Sequence, residues 1–347
     1  MFRTGFVMVS AWLVVGSLAD LDARADRALF WTTAGEAGLE RDLNAQAARG
    51  LRVAAVSDGL PCTITVMQAT ERPAPPAAYK VVADRDLEAT TGPLVADGFA
   101  PRLAHRRVAG RAHVIFERAG AERPSSVWRL IEFADLDALQ PAVAAAAGDG
   151  FQARMLVRYP LKSWPGLSEK GLILASKSDG GRPREVEVIV GQSNRIEADA
   201  QAVAGAAAKG FSFDLLFTGS RDGSPGARRE RLLVLLSREA GATPAARQIR
   251  LERSSSFGTF GSGIPLGVAP FWDDYYVYAW SPAERRQTWA SPIRLSANEA
   301  GCGGLSLKLR LDAPRDQLST IVGLAARKLP NLAYELVYVT DQRIGPS

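Results

Sequence analysis

The chain has 347 residues, 47% hydrophobic and 23% charged, with a formal net charge of +5. Of the 42 basic residues 35 are arginine, but acids are interspersed among them, so the concentrated basic stripe that nucleic-acid binding needs is missing.

In chain order, Arg3 precedes a mostly apolar run from Thr4 to Leu18, followed by the small-x-small sites Ser17-Leu18-Ala19 and Ala23-Arg24-Ala25. This is the layout of a secretory signal peptide over residues 1–25, and the run is short for a membrane span. A periplasmic or secreted protein with no integral membrane segment after cleavage is expected. About 320 residues then remain, room for two ordinary domains or an array of small units.

Four stretches share one phrase: LERDLNAQAARGLRVAAV, LEATTGPLVADGFAPRLAH, LQPAVAAAAGDGFQARMLV and ADAQAVAGAAAKGFSFDLLF. They define units at 26–70, 76–120, 125–180 and 184–240. Each unit opens on a short apolar strand: 29–31, 79–82, 127–131 and 186–190, rich in β-branched and aromatic residues. A helix follows, with Glu40, Glu88, Asp137 or Glu197 near its start, suited to the positive end of the helix dipole. Small residues (Ala47 and Ala48, Ala146 and Ala147, Ala206 and Ala207) let it lie close on a sheet. Gly92-Pro93 predicts a kinked or late-starting helix in the second unit. Gly50, Gly98, Gly150 and Gly210 read as left-handed residues just past each helix.

A hairpin completes each unit, at 151–158 with 171–177 in the third and 211–218 with 231–238 in the fourth. Its second strand reads ITVM, HVIFER, LILASK and LLVLLSR, and LLVLL implies burial on both faces. One helix covers one face of its own sheet, so a neighbouring unit must cover the other. A lone unit of ~45 residues is too small to be stable unaided.

From 241 the regularity breaks. Gly258–Gly263 reads as a loop, since it lacks the Lys and the strand–helix setting of a phosphate cradle. Later come a strand at 305–311, a helix from Pro314 to about Lys328 and a strand at 332–339. Residues 241–347 are read as a divergent fifth unit with a Ser-, Gly- and aromatic-rich insertion. The predicted fold is α+β: tandem βαββ repeats, four clear and one divergent, packed around a shared core.

Tyr79-Lys80-Val81-Val82, an amphipathic helix, Gly with a large apolar residue, and a hairpin ending Phe116-Glu117-Arg118 resemble a small family of bacterial domains of unknown function. Those domains carry a helix-to-strand junction close to LNELAAEGWELV. The likeness is best over 78–118 and 127–178, and extends to 186–238 and 28–68. Leu51 departs from the aromatic that usually follows the glycine. The resemblance implies a βαββ fold and supplies no catalytic residues.

His105 and His113 flank Ala109-Gly110, and a tight turn there sets them nearly opposite on adjacent strands. Two ligands do not make a zinc site, so a solvent-facing hairpin is expected, with no metal. Cys62 and Cys302 are a disulfide candidate in an oxidising compartment. Closing so long a loop stabilises by about 4–5 kcal/mol in the chain-entropy model. Cys302 in a Gly-rich setting late in such an array also resembles the layout of the pentein enzymes. That likeness implies a hydrolase with Cys302 as nucleophile, although the family's acidic and histidine motifs are missing.

No G-x-S-x-G elbow supports serine hydrolysis, and no cofactor motif is present. Asp273 and Asp274 would point to opposite faces of a strand. The most suggestive binding feature is the aromatic run Phe271, Trp272, Tyr275, Tyr276, Tyr278 and Trp280, which could stack on a sugar or a protein, although alternate members of a strand would face the core. Trp164, in the loop 159–170, lies at the same end as the loop 219–229. Trp272, Tyr275, Tyr276, Tyr278 and Trp164 are the candidate ligand-binding residues. The expected function is an exported, non-enzymatic binding or envelope-interaction protein for a protein or carbohydrate ligand.

Overall fold

Gly50, Gly98, Gly150 and Gly210 each end a helix in the computed structural model of the chain, at φ of 82°, 89°, 90° and 90°. At the last three, two backbone N–H groups reach back to helical carbonyls: Gly98 to Val95 and Phe99 to Leu94, Gly150 to Ala147 and Phe151 to Ala146, Gly210 to Ala207 and Phe211 to Ala206. This is the left-handed exit expected from the sequence, and it turns the following aromatic under the helix. The structure describes residues 29–33, 36–56, 63–69, 75–106, 112–120, 126–163, 167–191, 196–220, 230–243, 245–254, 258–271, 275–295, 319–328 and 334–343. Residues 1–25, expected to be a signal peptide, Cys62, Trp164, Trp272, Asp273, Asp274, Cys302 and the strand expected at 305–311 lie outside them.

The protein is mixed α+β and strand-rich, with several small antiparallel sheets and few helices. Its first stretch runs β1 (Leu29–Thr33), α1 (Glu36–Ala47), β2 (Leu51–Val56), β3 (Thr63–Ala69). Next come β4 (Ala77–Ala83), α2 (Leu87–Ala96), β5 (Ala100–Arg106) and β6 (Ala112–Ala119). The third has β7 (Ser126–Phe133), α3 (Leu136–Gly148), β8 (Gln152–Arg158), a small hairpin of β9 (Leu161–Ser163) and β10 (Leu167–Glu169), then β11 (Gly171–Ser178). The fourth has β12 (Arg184–Val190), α4 (Ile196–Ala208), β13 (Ser212–Ser220) and β14 (Glu230–Glu239). In each three-stranded sheet the last strand lies in the middle: β1-β3-β2, β4-β6-β5, β7-β11-β8 and β12-β14-β13. α2 does not start late. It follows a 3-10 turn at Asp84–Asp86 and carries Gly92 and Pro93 inside it, because burial of Leu87 and Thr91 outweighs local propensity.

The middle strands are buried on both faces. Leu232, Val234 and Leu236 of β14 pack with Val203, Ala206 and Ala207 of their own helix, whereas Leu233 and Leu235 join the core of the third stretch. Ile173 and Ala175 of β11 face α3, and Leu172 and Leu174 face the second stretch. Likewise Val114 and Phe116 of β6 face their own side, and Ile115 joins Leu39, Leu43 and Met67 of the first. The neighbour covers the second face, as the LLVLL pattern requires.

Each helix lies against the opening strand of the next sheet: α1 on β4, α2 on β7, α3 on β12. Side-chain amides close that exposed edge. Asn44 Nδ2 donates to the Tyr79 carbonyl and its Oδ1 accepts from the Tyr79 N–H, at 3.0 and 2.9 Å. Gln140 does the same to Val186 and Val188, at 3.2 and 2.9 Å. An otherwise open row of ladder groups is thereby satisfied and blunted.

The C-terminal part is one five-stranded sheet: β15 (Arg250–Ser254), β16 (Gly258–Phe271), β17 (Tyr275–Leu295), β18 (Ser319–Lys328) and β19 (Tyr334–Arg343). Its order is β15-β17-β19-β18, with β16 also on β17. Two expectations are corrected here. Ser319–Lys328, read as the body of a helix from Pro314, is a strand paired antiparallel with β19 from Ser319↔Gln342 to Lys328↔Tyr334. Alanines 325 and 326 suggested a helix, but a full ladder to a β-rich partner outweighs that preference. Gly258–Gly263, read as a loop, opens β16 and pairs with β17 at Gly258↔Ala290 and Thr259↔Trp289. Glycine there permits close backbone approach: a Cβ on Gly263 would lie 2.3 Å from the Trp280 ring.

One irregularity recurs. β2, β5, β8, β13, β16 and β18 each carry an extra residue relative to the partner strand, at Ala54, Arg102, Arg154, Asp214, Leu266 and Val322; β8 has a second at Val157, and β16 shifts register again between Thr259 and Gly263. These same strands touch in succession, β2 on β5, β5 on β8, β8 on β13, β13 on β16, β16 on β18, and β18 on β2 again. No helix among the described residues is long and apolar enough to cross a membrane.

Candidate functional site

A bulge re-aims the side chain it carries. On β8 and β13, which lie side by side, Arg154 and Asp214 are bulged residues, Val157 being a second one on β8. Gln152, two residues before Arg154, donates through Nε2 to Asp214 Oδ1. Arg154 Nε donates to Ser176 Oγ at 2.8 Å. Arg184, at the start of β12, donates through Nε and Nη2 to Ser237 Oγ at 3.1 and 3.0 Å. Between them opens a polar cleft of about 420 Å³, whose walls include Gln152, Arg154, Ser176, Arg182, Arg184 and Glu239. Gly150 forms part of its floor, with a would-be Cβ 2.9 Å from the Gly181 carbonyl.

The electrostatics of this cleft are unusual. Burial lowers the pKa of Arg154; Asp214 opposes that shift, and the neighbouring charge of Arg184 adds to it. Burial raises the pKa of Asp214, against hydrogen bonds from Gln152 and Ser237 and the charges of Arg184 and Arg154. Asp214 Oδ2 is sealed from water without a hydrogen-bond partner. The two guanidiniums are thus anchored on neutral hydroxyls.

The first two sheets are joined differently. Tyr79 is 1% exposed; its hydroxyl accepts from the Val53 N–H at 3.0 Å and donates to Glu117 Oε2 at 3.2 Å. Glu117 Oε1 takes Arg52 Nη1 at 2.7 Å. Burial, then the Glu117 charge, pushes the phenol well above its ordinary pKa, so it stays protonated as a donor. Tyr79→Phe should cost about 1–3 kcal/mol, because it orphans the Val53 N–H in a buried setting. Urea titration measures this, and a neutral result would mean that water replaces the hydroxyl.

The last strands also carry a feature that the sequence reading missed. Arg118, Lys177 and Arg238 donate to the carbonyls of Asp97, Asp149 and Lys209, the residues just past α2, α3 and α4. Arg118 and Arg238 lie over the Phe99 and Phe211 rings at 4.8 and 4.7 Å. A cation here meets both the negative helix end and an aromatic face. The signal was visible as the basic residue closing FER, SK and SR.

His105 and His113 are cross-strand partners, as their spacing predicts, with ring centroids 6.3 Å apart. The solvent-facing hairpin is corrected: they are 0% and 1% exposed, because this face of the sheet packs toward α1. His113 Nδ1 is 3.3 Å from Glu36 Oε1 at the start of that helix. Among the described residues no group of three or more His, Cys, Asp or Glu is placed to hold a metal.

Tyr275, Tyr276 and Tyr278 all lie on β17, paired with Phe271, Pro270 and Val268 of β16. Tyr278 and Trp280 are covered, at 3% and 6% exposure, and belong to the interior. Of the described side chains, neither Tyr278 nor Trp280 lines the cleft. No family model, curated protein or solved structure matches the chain.

Proposed function

We propose that the chain is an exported, non-enzymatic binding protein of the cell envelope, built from six copies of one βαββ-like unit closed into a ring. The observation that carries the binding reading is the polar cleft lined by Arg154 and Arg184, with Asp214 bonded to its wall residue Gln152, formed where two copies meet. Four copies end at Glu239. The fifth is β15, β16 and the first half of β17, whose order β15-β17-β16 repeats the first-third-second arrangement. The sixth is the second half of β17 with β18 and β19, in the order β17-β19-β18. Six bulged inner strands in succession and the return of β18 to β2 support six copies rather than five. The resemblance to the small bacterial βαββ domains belongs to this proposal.

A Cys62–Cys302 bridge would clamp the closure, since it ties the first copy to the sixth. Trp272, Tyr275, Tyr276 and Trp164 remain candidates for a second, stacking contact with a protein or carbohydrate. The competing pentein-like hydrolase needs Cys302 as a free thiolate.

Protein purified from the periplasm tests the reading. Thiol titration should find no free cysteine, and native mass spectrometry after incubation with a small-molecule envelope extract should show a retained ligand that leaves on unfolding. A bare mass in every extract, together with an alkylatable Cys302, would overturn it.

A further inference from the structure

We propose that the cleft between the third and fourth sheets binds a small ligand by its carboxylate or phosphate group, held in the forks of Arg154 and Arg184. This rests on the binding reading above and names the chemistry of the same site. A half-buried arginine such as Arg184 is normally matched by a carboxylate, because an unpaired charge out of water is costly, and the exposed Arg154 lines the same cleft. Here neither guanidinium has a carboxylate within ion-pair distance among the described residues. Each is instead fixed at Nε by a serine hydroxyl, 2.8 Å for Arg154 and 3.1 Å for Arg184.

That anchoring fixes the plane of each guanidinium while leaving donors over. Arg154 keeps both Nη groups and Arg184 keeps Nη1, and the Ser176 hydroxyl, accepting from Arg154, still has its own proton to donate. The nearest carboxylate, Asp214, is turned away by Gln152 on one oxygen and sealed on the other. Its charge holds the two arginines together without occupying their forks. A donor-rich recess with two forks matches an acceptor-only oxyanion. Glu239 and Asp179 stand exposed in the wall and favour a ligand whose remaining part is hydroxylated or cationic. The volume of about 420 Å³ suits a metabolite-sized molecule.

The experiment is titration of the full exported chain with inorganic phosphate and, separately, with citrate, at an ionic strength held constant with sodium chloride. Thermal shift reads both ligands, and phosphorus-31 line broadening reads the first. At least one anion should bind below about 10 mM, with phosphate or citrate the tighter according to which group the natural ligand carries. Arg154→Gln and Arg184→Gln should each weaken it by about tenfold or more, corresponding to one lost charged hydrogen-bond pair. Arg154→Lys keeps the charge without the fork and should also lose affinity. Arg102→Gln, the bulge arginine of the second sheet, serves as the control and should change nothing. Binding of neither anion, or a loss shared equally by Arg102→Gln, would overturn the proposal. If a ligand is still retained from envelope extract in that case, only the oxyanion assignment fails and the binding reading stands.

Discussion

Leu235→Ala should lower the stability of the whole chain by about 2–5 kcal/mol, the cost of a large buried truncation that leaves a cavity. Leu235 is 0% exposed in the middle strand of the fourth sheet, where it pairs with Val188 and Leu215. Its side chain faces away from its own helix into the core made by Leu139, Val143 and Ile173 of the third stretch. The lost contacts are therefore between stretches rather than within one. Because the hydrophobic clusters among the described residues are each shared in this way, the variant should melt in a single transition at a lower midpoint, like the parent. Calorimetry checks both parts. A second transition that appears only in the variant would mean that the fourth sheet unfolds by itself, and the account of mutual cover would fail.

Gly150→Ala is expected to be the costliest of the helix-exit glycine substitutions that can be compared directly. At φ of 90° any side chain meets left-handed strain, about 1–2 kcal/mol. Gly50, at 82°, has open space around its would-be Cβ, so Gly50→Ala should cost that strain alone. At Gly150 the added carbon would also lie 2.9 Å from the Gly181 carbonyl and 3.1 Å from that of Arg182, both backbone atoms that cannot swing aside. The turn from β11 to β12 must then shift, adding about 1 kcal/mol or more. Urea midpoints of the two variants give the comparison, and equal losses would show that the turn yields freely. Gly181 and Arg182 also belong to the cleft wall, so Gly150→Ala should weaken anion binding while Gly50→Ala leaves it unchanged.

The two corrections in the C-terminal part share a cause. Ala325, Ala326 and a preceding proline favour a helix locally, and Gly258–Gly263 looks like a linker locally. In both places the deciding partner is distant in sequence: β19 for one, β17 for the other. The histidine pair makes the same point at one residue's scale. Register set His105 opposite His113, but solvent exposure depended on α1, which arrives from some 60 residues earlier and places Glu36 beside them.

What the chain's own residues determined is local and periodic. Alanine faces, left-handed glycines and doubly apolar strands specified helix, exit and hairpin four times, because each depends on backbone sterics and burial within a short window. The cleft was illegible there. Gln152, Arg154, Arg184 and Asp214 belong to no motif, and it is the packing of the third sheet on the fourth, with bulges at Arg154 and Asp214, that brings them together. Which neighbour covers which face, and which charges are left without a counter-charge, is settled when sheets from different parts of the chain pack together, because hydrophobic cover and Coulomb interaction act through space and are indifferent to sequence separation.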